Sequence, residues 1–362
     1  MLFNYINNII MFLYISQYVS YYYNYYFNND LLENNMNIEK TNNSFNKPSL
    51  KNNVNFNTHS LEVNDLYNLV FSTNPNSPTN LELIFYKIYS NKNNSYCESI
   101  NSTIFKYNNK IIKINSKENY NNYISVIHTI LNYKLKNIVL PEQIYNNKFT
   151  KQEYIEIFNY YPDGDLFNYI YTQTLSFSQK KYIFKQLVNI ISPFHKICLV
   201  HRDIKMENFL IHFNDNNEIK IKLTDLDFSC IGTTDLTFTG GTMHYASYEL
   251  MNYKKFTSWY SSDIWSLTII LYILLFNKFP WNNTIEYKTY NNKKFRTIEP
   301  CDIFNTYLIS NPSEYWNERL SVLFDKNDIH FSTYSKILTY GFNIKWNERT
   351  DISYIQNLLT LI

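Results

Sequence analysis

The pattern of apolar and polar positions divides the chain into two textures. From residue 83 onward come short β-type runs: "LIFYKIYS" (83–90), "STIFKY" (102–107) and "KIIKI" (110–114), separated by Asn-rich turns. "YISVIHTILNYKL" (123–135) then places Ile124, Ile127, Ile130 and Leu131 at helical spacing. "YIEIFNYY" (154–161) reads as one more strand. After Pro162 the pattern turns helical, most clearly in "SQKKYIFKQLVNIISPFHKI" (178–197) and "SSDIWSLTIILYILLF" (261–276). A small β-rich half with one helix therefore precedes a larger helical half. This is an α+β arrangement, with no internal repeat.

The first 60 residues differ. Residues 1–29 carry no charged side chain and include "IIMFLYISQYVSYYYNYYF". One reading is a signal or membrane anchor. Asn, Gln, Ser and Tyr interrupt the run and no basic flank precedes it, so a disordered or surface-packed leader is the other. Membrane contact is thus expected only through residues 1–29. Cytoplasmic location is expected otherwise. Residues 30–60 are polar and Asn-rich, as linkers are.

Composition adds three constraints. A net charge of +2 over 362 residues provides no broad electrostatic grip, so a nucleic-acid partner is not expected. Cys97, Cys198, Cys230 and Cys301 form no CxxC pair, and a chain able to bury a sizeable core needs no staples. They read as free thiols in a reducing compartment. There are only five glycines, far below the usual ~7%. Loops that ordinarily use glycine must be built from another residue, Asn first, because it tolerates positive φ. Nothing in the sequence fixes an oligomeric state.

The chemistry begins at "HRDIKMENFLI" (201–211), which fits the spacing H-R-D-x-K-x-x-N. Five fixed residues arise by chance roughly once in ten thousand chains of this length. Seventeen residues after Asn208, the strand-like "IKIKLT" (219–224) delivers Asp225 in "DLD". A second register starts at Asp227, but the strand phase favours Asp225. "GGTMHYASYEL" (240–250), "SSDIWSLTIILYILLFNKFPW" (261–281) and Arg349 in "KWNERTDISYIQNLL" follow in order.

Taken together, these segments resemble the eukaryotic protein kinase superfamily over about residues 83–362, within a domain spanning 61–362. The resemblance implies a two-lobed fold, with the small lobe at about 83–158 and the large lobe at about 162–362. It implies ATP and Mg²⁺ (or Mn²⁺) as cofactors and a protein Ser/Thr hydroxyl as acceptor. Lys205 together with Thr242 resembles the serine/threonine branch. By the same resemblance Asp203, Lys205 and Thr242 are catalytic, and Asn208 and Asp225 hold metal beside the nucleotide. Lys113 in "KIIKI" would meet the α- and β-phosphates. In "IEIFNYYPDGDLFNYI" Phe158 would back the adenine pocket, backbone groups of Asn159 and Tyr161 would bond adenine, and Asp165 the ribose. Glu249 would pair with Arg349, and Asp263 would hold the catalytic-loop backbone. Arg202 implies control by phosphorylation at Thr233, Thr234, Thr237 or Thr239.

Several positions depart from the family pattern. "SNKNNSYCESI" (90–100) stands where a glycine-rich loop belongs and has no glycine. Val126 stands where the small-lobe helix should supply a Glu for Lys113, and Glu118 is a poor substitute. Leu226 and Asp227 replace the Phe and Gly of D-F-G; Thr268 and Asn277 replace two more glycines. Asp227 reads either as an added ligand for a divalent ion or as drift in a glycine-poor chain, pointing to solvent; on the second reading Asp227→Gly would leave activity unchanged or raise it, and a large loss would make Asp227 a metal ligand. These erosions keep two alternatives open: a pseudokinase scaffold, and a small-molecule phosphotransferase.

Overall fold

A computed structural model describes residues 97–98, 102–107, 109–116, 120–146, 153–232, 241–251, 258–280, 284–290, 293–299 and 311–362. The leader, the linker, the run 83–90 and Thr233, Thr234, Thr237 and Thr239 lie outside them. So does the glycine-less loop, apart from Cys97 and Glu98. The chain divides into two compact units, 1–108 and 109–362.

In the first unit β1 (Cys97–Glu98) pairs antiparallel with β2 (Ser102–Tyr107), Cys97 opposite Ile104. The second unit opens with β3 (Lys110–Ser116), followed by helix α1 (Tyr120–Asn132), β4 (Gln143–Asn146) and β5 (Glu153–Asn159). β5 is flanked by β3 and β4, both antiparallel to it. Ile112 faces Ile157 and Ile114 faces Ile155, and all four are buried. The other face carries Lys113 opposite Glu156 and Asn115 opposite Tyr154, also buried. With both faces covered, Ile112, Lys113, Ile114 and Asn115 are buried in succession rather than alternately.

α1 buries Tyr123, Val126, Ile127 and Ile130, whereas Leu131 is exposed. The buried stripe is thus rotated from the aliphatic one anticipated, because Tyr123 packs inward against Tyr154 with ring centroids 5.8 Å apart.

The larger helical part begins with α2 (Leu166–Thr172) and α3 (Phe177–Lys196). Ser176 and Gln179 close a reciprocal capping box at the start of α3. β6 (Leu199–Val200) follows, then a short 3-10 turn (Met206–Asn208) and the hairpin β7 (Phe209–Phe213) and β8 (Ile219–Leu223). β9 (Cys230–Ile231) pairs back onto β6. The one-turn α4 (Tyr248–Met251) precedes α5 (Trp259–Phe276). β10 (Thr284–Tyr290) and β11 (Lys293–Glu299) form a hairpin that the apolar pattern had not marked. α6 (Pro312–Leu320), α7 (Ile329–Gly341) and α8 (Ile352–Leu359) complete the unit.

α5 is the pillar of this part. It is apolar all round and long enough to cross a membrane, yet it is almost wholly buried among the other helices, as a core helix should be. It ends at Asn277, which adopts the left-handed conformation (φ 55°) and donates its N–H to Ile273 O. Asn137 and Asn217 also have positive φ, so Asn does take over turns that glycine usually makes. Cys198 and Cys230 are free thiols.

Candidate active site

The site is organised by one buried carboxylate near the start of α5. Asp263 accepts the backbone N–H of His201 through Oδ2 and that of Arg202 through Oδ1, both at 2.9 Å. His195 Nε2 lies 3.0 Å from Oδ2. These bonds help hold Arg202 in a left-handed conformation (φ 67°), a posture that costs a non-glycine residue on the order of 1–2 kcal/mol. The kink sets the direction in which the next residue, Asp203, leaves the loop.

Asp203 is a convergence point. Its Oδ2 accepts Lys205 Nζ at 2.6 Å and Asn208 Nδ2 at 3.2 Å. Its Oδ1 accepts the backbone N–H and the hydroxyl of Thr242, both at 2.8 Å. Lys205 Nζ also donates to Thr242 Oγ1 at 3.0 Å. Gly241 lets the two segments approach: its φ is 105°, and a Cβ there would lie 3.0 Å from Arg202 O. Burial opposes charge on Lys205, but Asp203 and then Asp225 outweigh it and raise its pKa, so the ammonium is secure.

Asn208 spends its amide hydrogens on Asp203, with Nδ2 2.8 Å from the backbone oxygen. That leaves its amide oxygen as the donor atom available to a cation. Asn208 O accepts Thr224 N–H at 2.9 Å, which ties the 206–208 turn to the end of β8. Asp225 follows at once, with φ 62°. Burial would raise its pKa, but Lys113 and then Lys205 overcome that and hold it down at about 2. An always-ionised carboxylate beside an amide oxygen is a hard-oxygen donor pair. It suits Mg²⁺, which keeps waters and phosphate oxygens for its other positions. Leu226 is buried among Tyr123, Val126, Phe194 and Leu199.

Asp227 departs from expectation. Rather than pointing idly to solvent, its Oδ2 lies 2.8 Å from Lys113 Nζ, and Asp225 Oδ1 lies at the same distance. Burial and the neighbouring Asp225 raise the pKa of Asp227, while Lys113 lowers it; the net shift is upward. Lys113 itself, buried but facing Asp225, Asp227 and Glu156, is shifted up.

Behind Lys113 lies a network that sequence reasoning missed. Glu156 is fully buried; it accepts Asn115 Nδ2 at 2.6 Å and the Tyr123 hydroxyl from α1. Burial, moderated by Lys113, pushes its carboxyl up to about 7. The signal was an acid inside an apolar strand, but its meaning depends on the β3–β5 register. Val126, at the family's Glu position, is fully buried in the apolar cluster.

The remaining expected positions fall as follows. Phe158, on β5, stands opposite Ile111, and Asn159 opposite Lys110. The Asn159 side chain bonds Lys110 and Glu142, and Tyr161 O accepts Gly164 N–H at 3.2 Å. Asp165 caps α2: its two oxygens accept the backbone and side-chain N–H groups of Asn168, each at 2.8 Å. Any ribose contact would have to share that carboxylate. Glu249 and Arg349 form a bidentate pair, both bonds 2.8 Å. Arg202 donates to Phe228 O and lies over the Trp259 ring at 5.4 Å.

Comparison with known proteins places the chain in a family. A family model described as protein kinase domain matches residues 98–350. The mitosis inducer protein kinase cdr1 of Schizosaccharomyces pombe is 30% identical over 165 residues, covering 42% of this chain and 27% of that protein. Human NUAK family SNF1-like kinase 2 is 30% identical over 187 residues, 49% of this chain and 28% of the relative. CBL-interacting serine/threonine-protein kinase 2 of Arabidopsis thaliana is 28% identical over 205 residues, 55% and 42% respectively. The chain thus spans less than half the length of each of these relatives.

Proposed function

The chain belongs to the protein kinase domain family, and from that premise we propose that it transfers the ATP γ-phosphoryl group to Ser/Thr hydroxyls of proteins. The observation that carries the reading is the meeting of Lys205, Asn208 and Thr242 on the single carboxylate of Asp203, all within 3.2 Å. Phosphoryl transfer asks the protein for positioning and charge neutralisation more than for covalent chemistry. Asp203 orients the acceptor hydroxyl and takes its proton as the new P–O bond forms and the bond to the leaving diphosphate breaks. Lys205 offsets charge on the transferred group. Thr242 locks Asp203 and Lys205 in register. Asn208 and Asp225 would hold Mg²⁺ or Mn²⁺, which supplies charge neutralisation at the phosphates. Lys113 would meet the α- and β-phosphates, and backbone groups of Asn159 and Tyr161 the adenine. Lys205 and Thr242 favour Ser/Thr over Tyr acceptors.

One observation favours a second reading, a binding scaffold without transferase activity. The Lys113 ammonium sits on Asp225, the same carboxylate that a metal would need. Labelled-ATP transfer by the full chain, with Mg²⁺ and with Mn²⁺, beside Asp203→Asn, decides between them. Incorporation into Ser/Thr substrates or the chain itself, lost in the variant, is the expected result. No incorporation, and no metal-dependent thermal shift with ATP, would leave the scaffold.

A further inference from the structure

We propose that Asp227 positions Lys113 for nucleotide, doing from the loop after β8 what the family does with a carboxylate on the small-lobe helix. This rests on the kinase reading above. Three observations converge. First, α1 contains neither Asp nor Glu, and Val126 is sealed in an apolar cluster. No acid on that helix can reach Lys113. Second, Lys113 Nζ is held at 2.8 Å by Asp227 Oδ2 as well as by Asp225 Oδ1. Third, Leu226 is anchored between the two acids among Tyr123, Val126 and Phe194. That anchor fixes the loop so both carboxylates reach one ammonium.

The two acids divide the work. Asp225, with Asn208, would hold the cation, whose charge would then compete with Lys113 for that carboxylate. Asp227 then remains as the carboxylate that keeps the lysine in place. A glycine at 227 has no group to do so, which gives the unusual D-L-D sequence a physical reason. α1 keeps its tie to the sheet by a separate route, the Tyr123 hydroxyl on Glu156. Lysine placement is thereby set by the 225–232 loop rather than by the helix position.

The test uses the full chain with Asp227→Asn, Asp227→Gly and Asp227→Glu. In EDTA and without nucleotide, the rate at which an amine-acylating reagent modifies Lys113 is followed at one pH by peptide mass spectrometry. Lys110 on the same strand is the internal reference. Binding of a non-hydrolysable ATP analogue and its Mg²⁺ midpoint are measured on the same variants. Losing one charge-assisted contact should speed Lys113 modification and weaken analogue binding, each roughly tenfold, in the Asn and Gly variants. The Glu variant should restore most of both. Asp227→Asn is near-isosteric, so a folded variant remains if the glycine one unfolds. Unchanged Lys113 modification overturns the proposal, and if the Mg²⁺ midpoint alone rises, Asp227 is a metal ligand instead. Faster modification with unchanged analogue affinity also overturns it, because the pair is then structural only. The metal-free readout is independent of transfer. An inactive chain whose Lys113 is released in the Asn variant, and which binds no analogue, would defeat the kinase reading while leaving the ion pair intact.

Discussion

Lys113 and Glu156 stand directly opposite each other on β3 and β5, yet the ammonium turns to the 225–227 loop and Glu156 bonds Tyr123 and Asn115. Glu156 is therefore a buried acid with its nearest cation committed elsewhere. Burial pushes its pKa up to about 7, Lys113 and the Tyr123 bond hold it down, and Asp227 and Asp225 add to the rise. A carboxyl raised in the folded state favours folding while it is protonated. That contribution is full below the unfolded value of 4.5 and is lost as pH climbs through about 7. Glu156→Gln removes the titration. Asn115 Oδ1 has no hydrogen-bond partner, so Asn115 can flip to accept the new amide. The stability of the variant relative to the natural chain should rise between pH 5 and pH 8 by up to about 3 kcal/mol. Urea unfolding of both proteins across that range checks it; a flat difference would rule out titration of Glu156.

The convergence of the 201–208 loop on Asp203, the placement of Asp225 just after β8, the Glu249–Arg349 pair and the long helices are readable because each is a local spacing or a short motif. α3 and α5 lie within two residues of the runs that pointed to them. What escaped depends on long-range pairing. The buried stripe of α1 departs from the aliphatic spacing because Tyr123 turns inward onto Tyr154 and Glu156, two β5 residues that the local pattern does not reveal. Asp227 looked like drift because its partner lies on a strand more than a hundred residues earlier. Asp165 appeared free for ribose, but an acid just before a helix is also a good N-cap.

A tight contact between α5 and α7 gives a stability prediction. Thr268 of α5 occupies a family glycine position, and Gly341 at the end of α7 makes the room. A Cβ on Gly341 would lie 2.2 Å from Thr268 Oγ1 and 2.9 Å from Cγ2. Ala would gain at most ~1 kcal/mol of helix propensity over Gly, whereas overpacking costs about 1–3 kcal/mol. Gly341→Ala should therefore be destabilising. Thr268→Ala in the same chain should relieve it, giving a favourable coupling of about 1 kcal/mol or more. A double-mutant cycle by denaturant unfolding measures this, and additive effects would show that the two sites do not share the space.

Glu249 and Arg349 are sealed from water, with side-chain exposures of 1% and 0%. Arg349 also donates to Ser261 O and Asn343 O and lies over the Trp265 ring. Removing only the acid leaves a buried guanidinium short of an anion. Glu249→Gln should lower stability by about 3 kcal/mol, in the range for breaking a buried pair. Because α4 follows the segment bearing Thr242, the loss should be accompanied by faster proteolysis within 241–251. Thermal melting and limited proteolysis read the two effects, and an unchanged melting temperature would show the pair to be dispensable.

Thr242 joins the two halves of the site through one hydroxyl, which donates to Asp203 and accepts from Lys205. Its backbone N–H bonds Asp203 separately at 2.8 Å, so removing the hydroxyl leaves the segment docked. If the chain is the kinase proposed above, Thr242→Ser, which keeps both hydroxyl bonds, should retain most transfer activity. Thr242→Val keeps the shape but loses the bonds, freeing Asp203 and Lys205 to drift from their geometry. Misplacement of a catalytic group by about an ångström costs on the order of a hundredfold in rate. On that reading the loss should fall on kcat, with KM for ATP little changed, because the proposed nucleotide contacts Lys113 and Asp225 are untouched. Steady-state kinetics of the three proteins test this. Equal kcat for the Val and Ser variants would remove Thr242 from the catalytic group, and a rise confined to KM would reassign it to substrate binding.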